Sequence, residues 1–507
     1  MASSTRSTLA KHAANKRRRG DHATAIRQRG VSLLLLLAVL VVLGGSLVVA
    51  ALTASRVQME RERTTTAALA AAKRALIAYA ASFADENSAT PPASSPYWVP
   101  GSLPCPEMTA PASASNEGRA ASPPCGVSTT NLLGRLPWAE LGIEALKDGA
   151  GQCLWFAVAS TFKRKSTPPT TSMLNWDTPG TFDIEQADAG STAPVYLAGP
   201  DPADRAVAVI LAPGPALAGK SPLPHANAAQ CQGSYVASDY LDSADGINNA
   251  ATPGTTASFV VAEQIATFND RLAYITAREI FAEVERQQSF KTRIRRMMNH
   301  AADCISGFAK YHQTATPGDK RLPWAMPLAL ASIASYNTNN NYRDAIGQLS
   351  GRLAADVRRS CDSILGASCP TLERQLLGTG SLYCSTSLWS AEDDWWYQNW
   401  KDQLFYTVAF NHRPDAASTT AACPTCLKVN GAGDYAAILS FAGRSVQNLK
   451  RSSLAQKINI ANYLEGRNAT NHPNVLGDGN YQSAAASTTF NDILVCIDDQ
   501  LNVIDPC

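Results

Sequence analysis

The sequence is short of charge. Asp, Glu, Lys and Arg make up 17% of its 507 residues, against about 25% in ordinary soluble domains. Residues 1–30 hold eight of the 44 basic residues and a single acid, so the remainder carries a net charge of −5. A mildly acidic body offers no basic footprint for nucleic acid. We therefore expect no nucleic-acid partner.

Catalytic and metal-binding motifs are missing as well. There is no G-x-S-x-G elbow, P-loop or H-E-x-x-H. The seven His are scattered, and none stands beside a Cys or an acid at metal-ligand spacing. Cys423 and Cys426 have C-x-x-C spacing, but the Gly-rich segment VNGAGDY follows them, where a thiol oxidoreductase would have a helix. These patterns predict a protein that is not an enzyme, and a structural disulfide, or two separate ones, at the C-x-x-C.

Cysteine is absent from the first 100 residues, and all 12 Cys follow. An even number of Cys after an apolar segment is typical of a chain segment outside the cytoplasm, where disulfides persist. Up to six bridges are expected, and their connectivity is open. Short sequence separation favours three pairs: Cys105–Cys125, Cys361–Cys369 and Cys496–Cys507.

Charge is completely absent from residues 31–55. Twenty-five helical residues span roughly 37 Å, more than a hydrocarbon core of about 30 Å, whereas a secretory signal has a shorter apolar region. The sequence predicts a transmembrane helix over 31–55 that continues as an amphipathic helix to residue 84. The basic residues 1–30 place the amino terminus in the cytoplasm and the body in the periplasm.

The segment RQRG-VSLLLLLAVLVV resembles the type IV prepilin superfamily, which includes the pseudopilins of type II secretion. The resemblance implies cleavage by prepilin peptidase between Gly30 and Val31, methylation of Val31, and insertion in the inner membrane. It also implies packing against the helices of other pilin or pseudopilin subunits. The filament-packing residues would be Leu33, Leu34, Leu35, Leu36 and Leu37.

Leu35 stands where most pilins carry a Glu that pairs with a neighbouring subunit's amino terminus. This departure favours a minor or tip subunit of a type IV pilus or type II secretion pseudopilus. The remaining function hypothesis is a single-pass, membrane-anchored periplasmic binding or scaffold protein unrelated to any filament.

An internal repeat follows the helix, and it predicts a tandem duplication of about 200 residues. The tetrapeptide TFND occurs at 267–270 and again at 489–492. Other segments recur in the same order. They are RLPW at 135–138 and 321–324, GQCLWFAVAS and KDQLFYTVAF, RAVAVILAPG and DYAAILSFAG, and DYLDSADGINN and NYLEGRNATN.

The predicted fold is α+β: a long N-terminal transmembrane helix followed by two tandem pilin-like heads, each a helix packed on a small antiparallel sheet. The predicted divisions are a leader 1–30, a helix 31–84, a first head 85–275, and a second helix and head 276–507. An insertion at about 325–400 contains four Trp within twelve residues, which form either a contact surface or a flap over the core.

A short acidic loop is the one candidate for a bound ion. Asp242, Asp245 and Asn248 surround Gly246 and offer oxygen ligands of the kind that bind calcium, although EF-hand spacing is absent. A solvated turn is the competing interpretation. No other cofactor is expected.

Overall fold

The structure is a computed structural model. It describes residues 25–86, 100–123, 125, 129–164, 172–187, 193–220, 229–231, 233–251, 253–254, 256–313, 317–358, 373–385, 388–416, 423, 425–472 and 478–507. For residues 25–32, 44–54, 83–86 and 448, only the backbone is described. The chain divides into two compact units, residues 1–63 and residues 64–507. Within the second unit we call residues 100–276 the first lobe and residues 277–507 the second lobe.

Six α-helices occur among the described residues. The first begins within the basic leader and extends past the predicted end at residue 84. The predicted second helix, 276–313, is interrupted at residues 285–287, and a capping box formed by Thr276 and Glu279 fixes its start. The helices are α1 Ala25–Glu86, α2 Ala277–Val284, α3 Gln288–Gln313, α4 Ala391–Trp400, α5 Leu454–Ile458 and α6 Gly466–Asn471.

The first lobe is built on a seven-stranded sheet and a small hairpin. In chain order the strands are β1 Leu132–Arg135, β2 Trp155–Val158, β3 Phe182–Gln186, β4 Val195–Ala198, β5 Ala206–Ala212, β6 Ser243–Ala244, β7 Ile247–Asn248, β8 Ala257–Val261 and β9 Arg271–Thr276. Strands β1, β2, β5 and β9 are successive antiparallel neighbours. Strand β3 joins β5 and pairs in parallel with β8. All seven residues of β5 are buried, so this strand is covered on both faces.

The second lobe repeats this plan. Its strands are β10 Ser350–Arg352, β11 Asp356–Arg358, β12 Glu373–Gln375, β13 Leu404–Val408, β14 Leu427–Val429, β15 Ala432–Phe441, β16 Asn480–Tyr481, β17 Ile493–Asp498 and β18 Val503–Ile504. Strands β10, β13, β15 and β17 are successive antiparallel neighbours, and β14 joins β15 and pairs in parallel with β16. Six strands of each sheet therefore share order and direction, as a tandem duplication requires. The seventh strands differ, because β4 pairs with β3 in the first lobe and β18 pairs with β17 in the second.

The register of the central strands agrees with the repeat in the sequence. Trp155 pairs with Leu211 in the first lobe, and Phe405 pairs with Ser440 in the second. Aligning GQCLWFAVAS with KDQLFYTVAF, and RAVAVILAPG with DYAAILSFAG, matches the same four residues. Side-chain patterning of the central strands was thus sufficient to find equivalent positions in the two copies.

The predicted fold class is nevertheless wrong. The lobes are not two heads carried in tandem on a transmembrane helix, because residues 64–507 form one compact unit with a single large hydrophobic core. That core includes Phe156 and Ile210 of the first lobe together with Trp400 and Leu439 of the second. The body is rich in sheet, and the two seven-stranded sheets bury apolar side chains in common.

The predicted transmembrane segment 31–55 is also wrong, and so is the single-pass location in the inner membrane inferred from it. Within the described part of the chain, no helix is at once long enough and apolar enough to cross a membrane.

Five disulfides join described Cys residues. Two of the three predicted pairs form, Cys105–Cys125 and Cys496–Cys507. The third predicted pair, Cys361–Cys369, lies outside the described residues. At the C-x-x-C, the alternative of a single structural disulfide is confirmed, because Cys423 pairs with Cys426. The pairs Cys153–Cys231 and Cys304–Cys384 were not predicted.

Candidate functional site

A buried pair of carboxylates fastens the loops of the first lobe. Asp270 Oδ2 accepts hydrogen bonds from the backbone N–H of Asp242 at 2.8 Å and from Asn249 Nδ2 at 3.0 Å. Asp242 Oδ2 in turn accepts from the backbone N–H of Asn269 at 2.9 Å. Lys220 Nζ lies 3.1 Å from the other oxygen of Asp242. Asp270 thus accepts from the backbone N–H of Asp242, and Asp242 accepts from that of Asn269, the residue before Asp270. These hydrogen bonds hold the two loops together.

The second lobe contains the same arrangement. Asp492 Oδ2 accepts from the backbone N–H of Glu465 at 3.0 Å and from Asn468 Nδ2 at 2.9 Å. Glu465 Oε2 accepts from the backbone N–H of Asn491 at 3.1 Å. The Asn-Asp of TFND thus holds two loops together in each lobe, and Asn468 takes the place of Asn249.

Burial raises the pKa of one acid in each lobe. Desolvation raises the pKa of Asp270 to about 7, against the hydrogen bonds that it accepts. Burial also raises the pKa of Asp492 well above its usual range, and the neighbouring Glu465 adds to the effect. Two close acids of different pKa can serve as acid and base in catalysis. Here their oxygens are engaged by the loops that they hold, and this favours a structural role.

Each lobe also buries one arginine among aromatic rings. The guanidinium carbon of Arg135 lies 5.0 Å from the ring centre of Trp155 and 4.6 Å from that of Tyr240. The guanidinium carbon of Arg352 lies 5.1 Å from the ring centre of Phe405 and 4.8 Å from that of Tyr463. Both arginines end the first strand of their sheets, and both pair across to the next strand.

The repeated RLPW motif therefore predicts the wrong counterpart of Arg135. It aligned Arg135 with Arg321, but Arg321 forms an ion pair with the nearby Asp319 at 2.6 Å. The residue that occupies the position of Arg135 in the second lobe is Arg352. No flanking identity in the sequence marks Arg352. Its signal would have been its position one strand before KDQLFYTVAF.

Polar side chains join the two lobes through a short segment of the first. Asn175 Nδ2 donates to the backbone carbonyl of Asn399 at 2.8 Å and to Asp402 Oδ1 at 3.0 Å. The backbone N–H of Leu174 donates to Asn399 Oδ1 at 2.9 Å. Lys457 Nζ lies 2.9 Å from Asp402 Oδ2. Although burial raises the pKa of Asp402, the charges of Lys457 and Arg352 hold it below its usual range.

The Trp-rich insertion completes this junction. Its four tryptophans are all buried, so the interpretation as an exposed contact surface is wrong and that of a flap within the core is confirmed. Trp176 of the first lobe lies 4.5 Å, centroid to centroid, from Trp400 and 5.7 Å from Phe441. Aromatic rings at these separations add to the stabilisation that their burial supplies.

The apolar side chains near the start of helix α1, unlike these tryptophans, are exposed. The large apolar side chains of residues 33–43 are 50–69% exposed. These include all five predicted packing residues, Leu33 to Leu37. The predicted cleavage residues Gly30 and Val31 lie in the second turn of α1, where only the backbone is described. In the part of α1 that belongs to residues 64–507, Leu69, Ala72 and Leu76 are buried.

The predicted calcium ligands occupy different environments. Asp245 and Asn248 are exposed on the hairpin formed by β6 and β7. Asp242 is buried, with one oxygen accepting from Asn269 and the other beside Lys220. Calcium binding at this loop stays a prediction.

One group of metal-ligand residues was missed by sequence reasoning. Ligand atoms of His412, Cys423 and Cys426 all lie within 4.8 Å of one another, and no other group of three was found in the described part of the chain. His412 was not predicted as a ligand, because it does not stand beside a Cys or an acid at metal-ligand spacing. The spacing H-x₁₀-C-x₂-C was the signal that could have linked it to the C-x-x-C.

Comparison with known proteins found no matching family model, no matching curated protein and no matching solved structure. The function must therefore be argued from the residues themselves.

Proposed function

We propose that this protein is a non-enzymatic, prepilin-like subunit that is cut after Gly30 and assembles with other filament subunits through the apolar start of α1. The observation that carries the proposal is the exposure of the leucine- and valine-rich residues 33–43. Contiguous apolar surface of this kind typically marks an interaction site. Burying each large side chain against a neighbouring helix would contribute roughly 1.5–3 kcal/mol.

The helical geometry supports packing against other helices. Residues 33–43 lie within a single helix, Ala25–Glu86, so apolar side chains project from all sides of three successive turns. A helix that is apolar all round is stable only when it is covered on all sides. Several neighbouring subunits in a filament core would supply that cover, whereas one partner helix would cover a single stripe.

The residue at position 35 refines the proposed place in the assembly. Leu35 is 62% exposed and carries no charge. It cannot pair with the terminal amine of a neighbouring subunit, which is the contact that the missing Glu would provide. A subunit without this contact fits a tip or low-copy position better than a repeating one.

Cleavage tests the proposal most directly. The full chain is produced with and without a prepilin peptidase, and its amino terminus is determined by mass spectrometry. We expect loss of residues 1–30 and an N-methylated Val31 only when the peptidase is present. Gly30→Leu should block cleavage, because the resemblance places the cut directly after a Gly, while the matched change Gly44→Leu should leave cleavage intact. An uncut chain in the presence of an active peptidase contradicts the proposal.

Assembly is tested separately on the cleaved chain. Leu36→Asp should reduce co-assembly with partner subunits, measured by cross-linking and sedimentation, because it would bury a charge among apolar helices. Val57→Asp is the matched control, since Val57 is also an exposed apolar residue of α1 at 48% exposure, but lies outside residues 33–43. Equal loss of assembly in both variants would contradict a specific role for the leucine-rich segment.

A further inference from the structure

The topology of the second lobe explains why His412, Cys423 and Cys426 meet. Val408, at the end of β13, pairs with Ala437 of β15, and Leu427, at the start of β14, pairs with Tyr435 of the same strand. The chain therefore leaves β15 at one position and returns to it two residues away. His412 follows the departure by four residues, and Cys426 directly precedes the return. Both ends of the intervening loop are held together by the sheet.

The histidine is oriented as metal-binding histidines are. His412 Nδ1 lies 3.0 Å from the backbone carbonyl of Lys320, which can only accept, so Nδ1 carries the proton. A ring N–H donated to a carbonyl is the usual outer contact of a ligating histidine. Nε2 then lies 3.0 Å from Asp499 Oδ1.

The three ligand residues are largely buried, and one of them is partly accessible to solvent. His412 is 1% exposed and Cys426 is 8% exposed, whereas Cys423 is half-buried. The other groups at Asp499 are the Lys320 ammonium, 3.2 Å from Oδ2, and the Gln500 amide, 3.1 Å from the same oxygen. These contacts leave Oδ1 turned towards the histidine. Two sulfurs and one imidazole nitrogen, all within 4.8 Å of one another, make a donor set that suits zinc and similar divalent cations.

We propose that His412, Cys423 and Cys426 form a thiol-dependent zinc-type site, with Asp499 beside the ring of His412, and that the Cys423–Cys426 disulfide is its closed state. In the disulfide the two sulfurs are bonded to each other and no thiolate is available. A dithiol reductant opens the site by supplying two electrons and two protons, and is itself oxidised to a disulfide. The two thiols then release their protons as their sulfurs bind one divalent cation.

Cobalt(II) is the probe for this site, because thiolate ligation gives it a characteristic charge-transfer absorption. The full chain is reduced with a phosphine, the phosphine is removed, and free thiols are mapped by alkylation and mass spectrometry. We expect Cys423 and Cys426 to be freed with the buried Cys105–Cys125 bridge still closed. The reduced chain should bind one cobalt(II) with the thiolate band, zinc should displace it, and the oxidised chain should show no band.

Variants separate this site from other thiols of the chain. The pair Cys423→Ser with Cys426→Ser should abolish the band, while the matched pair Cys105→Ser with Cys125→Ser should retain it. His412→Gln should weaken cobalt affinity by at least 10-fold, since it removes the nitrogen ligand, and Asp499→Asn should weaken it less. Cys423 and Cys426 are only three positions apart in the sequence, so loss of their bridge opens a very short loop. The result for the Cys423/Cys426 variant therefore stands even where His412→Gln impairs folding.

Three results would overturn the proposal. The first is a reduced wild-type chain that lacks the thiolate band. The second is a band that persists in the Cys423/Cys426 variant. The third is reduction of the Cys105–Cys125 bridge before Cys423–Cys426, because the proposed site must open in the folded chain.

Discussion

Replacing Asp270 by Asn should remove a large pH dependence from the stability of residues 64–507. Asp270 is 1% exposed, and its Oδ2 holds the loop at Asp242 and the side chain of Asn249. Its Oδ1 is buried and has no hydrogen-bond partner among the described residues. Asn keeps an oxygen for the two accepted bonds and carries no charge. The variant therefore preserves the contacts while removing the ionisation.

The magnitude follows from the pKa. Burial raises the pKa of Asp270 from 3.8 to about 7. The folded chain holds this proton up to about pH 7, whereas the unfolded chain loses it near pH 4, so stability falls as the pH rises between these values. A difference of about three pKa units corresponds to about 4 kcal/mol. For a cooperative unit of about 440 residues, that is about 4 °C in Tm.

Calorimetry of wild type and Asp270→Asn at pH 4 and pH 8 measures this effect. The Asn amide would meet no partner at the position of Oδ1, which costs about 1–3 kcal/mol at every pH. The informative quantity is therefore the change in the Tm difference between the two pH values. We expect the variant to gain about 4 °C relative to wild type from pH 4 to pH 8, in line with about 4 kcal/mol.

Two further variants serve as controls. Asp492→Asn, at the equivalent position of the second lobe, should change in the same direction because burial also raises the pKa of Asp492. Asp478→Asn removes a carboxylate that is 59% exposed and should leave the Tm difference unchanged with pH. If the Tm difference for Asp270→Asn is the same at both pH values, the carboxyl is not protonated in the fold, and the argument from burial fails.

Two other predictions concern buried polar contacts. Arg352→Met should lower the free energy of unfolding by about 3–5 kcal/mol in chemical denaturation, because it leaves the buried charge of Asp402 less compensated. The control Arg467→Met, at an exposed arginine, should lower it by less than about 1 kcal/mol. An equal loss in both would refute it. Asn175→Ala should cost about 1–3 kcal/mol by breaking the bonds to Asn399 and Asp402, and unchanged stability would contradict a role in joining the lobes.

The repeat was predictable because the segments that recur in the sequence form the central paired strands of the two sheets. The repeated segments GQCLWFAVAS and RAVAVILAPG contain β2 and β5, and their counterparts KDQLFYTVAF and DYAAILSFAG contain β13 and most of β15. The identical TFND segments led to equivalent carboxylates at Asp270 and Asp492. These features depend on alternation and on short turns, which lie within the reach of neighbouring residues in the chain.

Features that depend on distant contacts were not predictable in this way. Arg352 was missed because the RLPW motif drew attention to Arg321, and only strand pairing identifies the buried arginine. The metal-ligand group was missed because Cys423 meets His412 through the return of the chain to β15. The fusion of the lobes was missed because Asn175 and Asn399 are 224 residues apart.

Each copy contributes a large aromatic side chain to the junction, and this explains why duplication did not yield two separate heads. The second lobe contributes Trp400 from its insertion, and the first contributes Trp176 from the segment that also carries Asn175. Each lobe thus fills a gap in the core of its neighbour. A lobe produced alone would expose this aromatic surface, so the duplicated chain is stable as one body and its halves are not independent modules.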